Sequence, residues 1–199
     1  MGGVVFHQNT AEACHRFQTI GINTDFYMGE YGQKEFFLEL ETGKIGAEEF
    51  CRKLAQVTGK DSLSYDEVEH CWLGFIKDVP LKGLHDLLEL RNHYHIGLLS
   101  NTNPFIMGYT RSNRFCSEEK PITHFFDSFF CSYEMGVCKP NAEIFRKTLE
   151  MGNFKPEETI FIDDSIVNIK AAEEVNINGL HITANTDWLE PLTERLKQL

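Results

Sequence analysis

Two adjacent carboxylates, Asp163 and Asp164, follow Thr159-Ile160-Phe161-Ile162, a run of β-branched and aromatic residues with no charge. Such a run reads as a buried strand, and Ser165 to Ala172 behind the acids opens a helix. In an open parallel sheet, ligands bind beyond the carboxyl ends of the strands. Two acids there make a compact hard-oxygen site of the kind Mg²⁺ prefers. The same residues also suit an ordinary helix start, with Asp164 or Ser165 as N-cap and Asp163 in the turn. Two other strand ends carry polar groups: Ser100-Asn101, after His95 to Leu99, and Lys139, before Pro140. Alone, Ser100-Asn101 is a plain turn and Lys139 a solvated lysine. Together, a hydroxyl, an ammonium and two carboxylates around Mg²⁺ suit a phosphoryl group, whose oxygens need neutralising and orienting. This set contains no evident nucleophile or general base.

The elements that must position these groups alternate. From Pro80 onward the pattern predicts a helix over 84–91, a strand over 95–99, a strand within 125–132 and a helix over 142–151. The strand at 159–162, a helix to Val175, a strand near 179–182 and a last helix over 187–196 follow. Alternating strands and helices imply an α/β fold with a parallel sheet. Residues 111–121 are polar and read as a mobile loop. Residues 11–78 are helical in pattern, with segments over 11–20, 25–40, 47–57 and 65–76. Their aromatic residues (Phe26, Tyr27, Tyr31, Phe36, Phe37, Trp72, Phe75) predict the core of a small helical lobe. Phe50, Leu54 and Val57 are assigned to one buried face.

Composition narrows the function classes. The 199 residues suit one domain, or a core with an inserted lobe. A formal net charge of −11 argues against a nucleic-acid footprint and offers no attraction to anionic lipid. No apolar run approaches a membrane span. The six cysteines form no C-x-x-C pair and no metal spacing. With no signal peptide they read as reduced thiols of a cytoplasmic protein. His93 and His95 sit at the start of their strand, away from the polar rim. His7, Gln8 and Asn9 fit either the wall of a substrate pocket or a polar hinge.

These motifs in this order resemble the haloacid dehalogenase superfamily. Leu98-Leu99-Ser100-Asn101 resembles its second motif, Lys139-Pro140 its third, and Phe161-Ile162-Asp163-Asp164-Ser165 with Asn168 its fourth. Lys139 lies 39 residues after Ser100, and Asp163 lies 24 after Lys139. The likeness covers nearly the whole chain and is nearest to the sugar-phosphate phosphatases and the amino-terminal domain of soluble epoxide hydrolases. It implies a Rossmann-like core over 1–9 and 80–199, with an inserted helical C1 cap over 10–79. It implies Mg²⁺ held by Asp164, with Asp163 as second ligand or outer partner and the Gly2 carbonyl as a further one. Ser100 and Asn101 would hold phosphoryl oxygens, Lys139 would balance charge, Asn168 would brace the site, and His7 joins Ser100, Asn101 and Lys139 as a substrate-binding candidate.

The family pattern places a nucleophilic aspartate immediately before Met1, after a strand that lies in mid-sheet. Removing a central strand would cost several kcal/mol of buried apolar area, a large share of a total near 5–15 kcal/mol. The expectation is therefore that Met1 is an internal methionine. The pattern's second aspartate, a general acid, is replaced by Gly2. The resulting reading is a Mg²⁺-dependent phosphatase of a small phosphorylated metabolite, acting through an aspartyl-phosphate. Its rivals are a non-catalytic protein that binds a phospholigand or partner, and a 2-haloacid dehalogenase. The Asp163-Asp164 pair argues against the dehalogenase, which has no phosphate to screen. Substrate identity and oligomeric state are not legible.

Overall fold

The computed structural model describes residues 1–29 and 32–198; Tyr31, counted above among the lobe aromatics, lies outside them. The chain opens with a tight turn in which the Phe6 carbonyl accepts from Gly3 N at 2.9 Å. It continues through β1 (His7–Gln8), α1 (Thr10–Thr19), α2 (Thr24–Tyr27), β2 (Met28–Gly29), β3 (Gly32–Gln33), α3 (Glu35–Glu41), α4 (Ala47–Thr58), α5 (Tyr65–Trp72) and β4 (Ile76–Asp78). Beyond these run α6 (Leu81–Leu90), β5 (Gly97–Ser100), α7 (Pro104–Thr110), β6 (Ser128–Cys131), α8 (Ser132–Met135) and α9 (Ala142–Gly152). The last elements are β7 (Ile160–Asp163), α10 (Ile166–Glu173), β8 (Asn178–His181) and α11 (Leu189–Leu196). Among the described residues, no helix is long and apolar enough to cross a membrane.

The expected α/β pattern is present as two parallel pairs. β5 runs beside β6, with Leu98 opposite Phe129 and Ser100 opposite Cys131. β7 runs beside β8, with Ile162 opposite Leu180 and Asp163 opposite His181. β5 and β7 are not hydrogen-bonded to each other. Two small antiparallel pieces, β1 with β4 and β2 with β3, join them; strands this short carry no readable period.

Three apolar clusters hold the elements. One joins α1, α3, α4 and α5 around Phe17, Phe37, Phe50 and Trp72, and also takes Phe105 and Ile106 of α7. The second packs Phe6, Leu84, Leu98, Phe125 and Trp188, and the third packs Phe130, Ile144, Phe145 and Ala172. Local signals set the helix starts. Asn9 caps α1 by accepting from Glu12 N at 3.1 Å. Ser64 and Glu67 form a reciprocal capping box on α5.

Several expectations need correction. The helix expected over 25–40 is one turn, a hairpin and α3, because Gly29 and Gly32 favour the turn over continued helix. The helix expected over 65–76 stops at Trp72, and Leu73–Phe75 forms a 3₁₀ turn. There Gly74 lies so close to α1 that a Cβ would sit 2.6 Å from the Ala13 Cα. Val57 is 48% exposed, so the buried face of α4 is Phe50, Cys51, Leu54 and Ala55. Phe26 is 49% exposed and leaves the lobe core. Segment 111–121 is not a free loop: Phe115 and Cys116 are buried in the second cluster.

Phe37 is fully buried and meets the rings of Phe17, Tyr27, Phe36, Phe50 and Trp72 at centroid distances of 4.9 to 5.7 Å. Urea denaturation should show Phe37→Ala less stable by about 3–5 kcal/mol. Phe26→Ala should stay within about 0.5 kcal/mol of the parent.

Candidate active site

One cavity of about 210 Å³ lies where the strand ends meet the helical lobe. Its core side is lined by Gly2, Ser100, Asn101, Lys139, Asp163 and Asp164. Gln8 of β1 and, from the lobe, Gln33, Glu41, Trp72 and Phe75 complete the lining. A cavity of this size suits a small ligand.

At its floor is a buried ion pair. Lys139 and Asp163 are 8% and 4% exposed, and Lys139 Nζ lies 2.6 Å from Asp163 Oδ2. Asp163 Oδ1 accepts from Ser165 N and Asn168 Nδ2, both at 2.9 Å. Burial alone would raise the Asp163 pKa; the Lys139 charge, the amino-terminal charge and the hydrogen bonds from Lys139 and Asn168 outweigh it and hold the carboxyl below its usual range. Lys139 Nζ also donates to the Leu99 carbonyl at 3.4 Å and lies 5.1 Å from the Phe161 ring centroid. Lys139 is therefore fixed from β5 and β7 together.

The backbone of Lys139 is gripped as well. Asn101 Nδ2 donates to the Lys139 carbonyl at 2.9 Å, and Asn101 Oδ1 accepts from Lys139 N at 2.8 Å. Each end of the Asn101 amide thus holds one backbone atom of Lys139, so its side chain positions that residue, and one N–H of its amide remains for a ligand. The Lys139-Pro140 peptide is cis. Ser100 is buried, and its hydroxyl donates to the Asn101 carbonyl at 3.1 Å. A hydroxyl rotates, so this donor can be turned to a ligand oxygen.

Asp164 is differently placed. Its Oδ2 takes only a long contact, 3.4 Å, from Gln8 Nε2. Burial and the neighbouring Asp163 charge raise its pKa. Gly3 makes room for it: the backbone there has φ +80°, and a Cβ would collide with Asp164 Oδ2. Among the described residues the Gly2 carbonyl accepts no hydrogen bond, while the carbonyls of Met1 and Gly3 on either side do.

This donor set fits a hard cation that keeps much of its water. Among the described residues there is no group of three or more His, Cys, Asp or Glu side chains able to hold a metal. Mg²⁺ is commonly bound by one or two carboxylates plus substrate phosphate. Asp164 and the Gly2 carbonyl have capacity for it. Asp163 already accepts from three donors, Lys139 Nζ, Ser165 N and Asn168 Nδ2, and has less capacity left than Asp164.

His7 does not join the cavity. Neighbouring residues of a strand face opposite ways, so Gln8 points in, while His7 Nδ1 lies 2.7 Å from Asp78 Oδ1 on β4. His95 Nε2 pairs with Ser128 Oγ at 2.9 Å, and both residues are remote from the cavity lining. Sequence reasoning missed Gln33, Glu41, Trp72, Thr102 and Asn103 as lining residues. Trp72 was read as core, which it also is. The Glu41 carboxyl, half-buried at the end of α3, is pushed up to about 8 by burial; nothing in Glu-Leu-Glu-Thr-Gly distinguishes it from its neighbours.

A family model described as haloacid dehalogenase-like hydrolase matches residues 6–176. D-ribitol-5-phosphate phosphatase of Bacteroides thetaiotaomicron is 37% identical over 193 residues, covering 96% of this chain and 93% of that protein. The crystal structure of a predicted HAD-like hydrolase from Porphyromonas gingivalis superposes with a TM-score of 0.92 at 34% identity, covering 100% of this chain and 95% of that one. An aspartate-to-alanine mutant of a HAD family enzyme from Bacteroides thetaiotaomicron, solved with magnesium and inorganic phosphate, gives 0.88 at 32% identity, covering 96% and 95%.

Replacing Lys139 with Met strands the buried Asp163 carboxylate. The loss of stability in urea should be about 3–5 kcal/mol. Glu41 makes a separate prediction. Its folded pKa is raised from 4.5 to about 8, so its folded state holds a proton that the unfolded chain releases. Stability tied to it is complete below pH 4.5 and is lost as pH rises towards about 8. Urea midpoints taken across that window should therefore fall more steeply for the parent than for Glu41→Gln.

Proposed function

The chain belongs to the haloacid dehalogenase-like hydrolases, and we propose that it is a Mg²⁺-dependent phosphatase acting on the phosphate monoester of a small metabolite. The observation that carries this reading is the convergence of Lys139, Asp163, Asp164 and Ser100 on one small cavity at the strand ends. The likeness to a D-ribitol-5-phosphate phosphatase across nearly the whole chain supports the class of substrate.

Each residue then has a task its surroundings explain. Lys139 presents an ammonium with two of its donors already engaged, by Asp163 and Leu99, which leaves one for a phosphoryl oxygen. Ser100 offers a second donor. Asn101 keeps Lys139 in place by its two backbone contacts. Asp164 and the Gly2 carbonyl would hold Mg²⁺, which when bound neutralises the phosphoryl oxygens. Because Gly2 has no side chain, the proton for the leaving alcohol does not come from that position.

The nucleophile in this reading is an aspartate preceding Met1, as the family pattern implies. Two features support it. Met1 lines the cavity beside Lys139 and the two aspartates. The sheet is also divided between β5 and β7, whose ends Lys139 spans. An aspartate there would attack phosphorus and expel the alcohol, after which water would hydrolyse the acyl phosphate.

Hydrolysis of p-nitrophenyl phosphate and ribitol 5-phosphate, with and without Mg²⁺, tests the proposal on this chain and on a form extended upstream of Met1. Turnover is expected only in the form carrying the aspartate and only with Mg²⁺. Asp164→Ala should lower it by about two or more orders of magnitude. A folded, extended protein that hydrolyses neither ester would overturn the phosphatase reading. Metal-dependent turnover by the present chain would overturn the assignment of the nucleophile.

A further inference from the structure

Four buried side-chain polar atoms lack a hydrogen-bond partner among the described residues, and three of them belong to residues lining the one cavity: Gln33 Oε1, Trp72 Nε1 and Thr102 Oγ1. Trp72 and Thr102 are 1% and 3% exposed. Unpaired polar atoms in a dry interior are costly and uncommon. Their concentration around one cavity indicates partners that arrive with a ligand.

Glu41 belongs with them. It lines the same cavity, and among the described residues its carboxyl makes neither an ion pair nor a hydrogen bond. Its main-chain carbonyl accepts from Cys138 Sγ at 3.6 Å, so α3 reaches the cavity beside the segment that carries Lys139. Thr102 is two residues beyond Ser100, whereas Gln33, Glu41 and Trp72 all come from the helical lobe.

The chemistry of the four groups is complementary. The indole N–H only donates and the amide oxygen only accepts. A hydroxyl and a protonated carboxyl do both. A ligand hydroxyl also does both, so a chain of hydroxyl groups satisfies all four without adding charge. Among the described residues Lys139 is the one side-chain cation lining the cavity, and it is already paired with Asp163, so a second anionic group would find no partner.

We propose that Gln33, Glu41, Trp72 and Thr102 hold the hydroxyl groups of the leaving alcohol, so that the cavity selects phosphate monoesters with an uncharged polyhydroxyl tail and rejects those with a second anionic group. This inference rests on the phosphatase reading and names the residues that set its specificity. No turnover is needed to test it, because binding is what the four groups control.

Calorimetric titration of the full chain in Mg²⁺ should use inorganic phosphate, ribitol 5-phosphate and 3-phosphoglycerate. The parent should bind ribitol 5-phosphate more tightly than either other probe. Glu41→Leu should reduce the preference for ribitol 5-phosphate over inorganic phosphate by about ten- to a hundredfold, since a site built for hydroxyls loses discrimination when its partners are removed. Glu41→Gln, which keeps a donor and an acceptor, should restore most of it, and Gln33→Leu should lower it again in a chain whose Glu41 is intact. Equal shifts in both affinities, or none, would overturn the assignment. A parent that binds inorganic phosphate but gains nothing from the ribitol tail would overturn it alone. A parent that binds none of the three would overturn the phosphoryl site and this inference together.

Discussion

The ion pair between Lys139 and Asp163 is the constraint on which the rest of this site depends. Taking two charges out of water costs several kcal/mol per ion, and the attraction recovers that only when geometry and further hydrogen bonds are good. Here they are supplied from three directions. Asn168 and the Ser165 amide hold the free oxygen of Asp163. Leu99 accepts from the ammonium. Asn101 holds the lysine backbone by both ends of its amide. Ser100, Asn101, Lys139 and Asp164 can occupy one cavity because each stands within two residues of an atom fixed by this network. The pair therefore acts as a template for the site as well as a charge source within it.

The two sides of the cavity are built differently. On the core side, positions follow from backbone register, since strand ends deliver Ser100 and Asp163 whatever their neighbours are. On the lobe side, they follow from packing. Trp72 is both the wall of the aromatic cluster and a lining residue of the cavity. Phe105 and Ile106 of α7 pack into that same cluster, only a few residues after Asn101. The lobe and the loop after β5 thus share a hydrophobic contact, and the shape of one cannot be set independently of the other.

This difference explains what the sequence could reveal. Asp163-Asp164 and Ser100-Asn101 were legible because strand-end chemistry is local: a run of apolar residues, then a polar group; Lys139, which follows β6 only after α8, was legible from its place in the motif order. The roles within the set were less so. Asn101 looked like a ligand-binding amide, and only the fold shows that its partners are the backbone atoms of a residue 38 positions away. His7 and Gln8 were indistinguishable until strand pairing decided which one faced inward. Gln33 and Glu41 gave no signal, because what singles them out is a shortage of partners in three dimensions. The helical segments were found, but Gly29 and Gly32 broke one of them by favouring a turn, and the close approach of Gly74 to α1 ended another.

Gly3 carries a consequence for which substitutions this lineage of sequences can accept. Its left-handed backbone disfavours any side chain, and the space where a first carbon would go is already held by Asp164 Oδ2. These are separate barriers, so relieving one by a loop adjustment leaves the other in force. A relative that carries a larger residue at this place must have rebuilt its opening turn and moved its acidic side chain as well. The identity of one residue outside the strand-end motifs would then show, from sequence alone, whether a relative has kept this arrangement of its second acid.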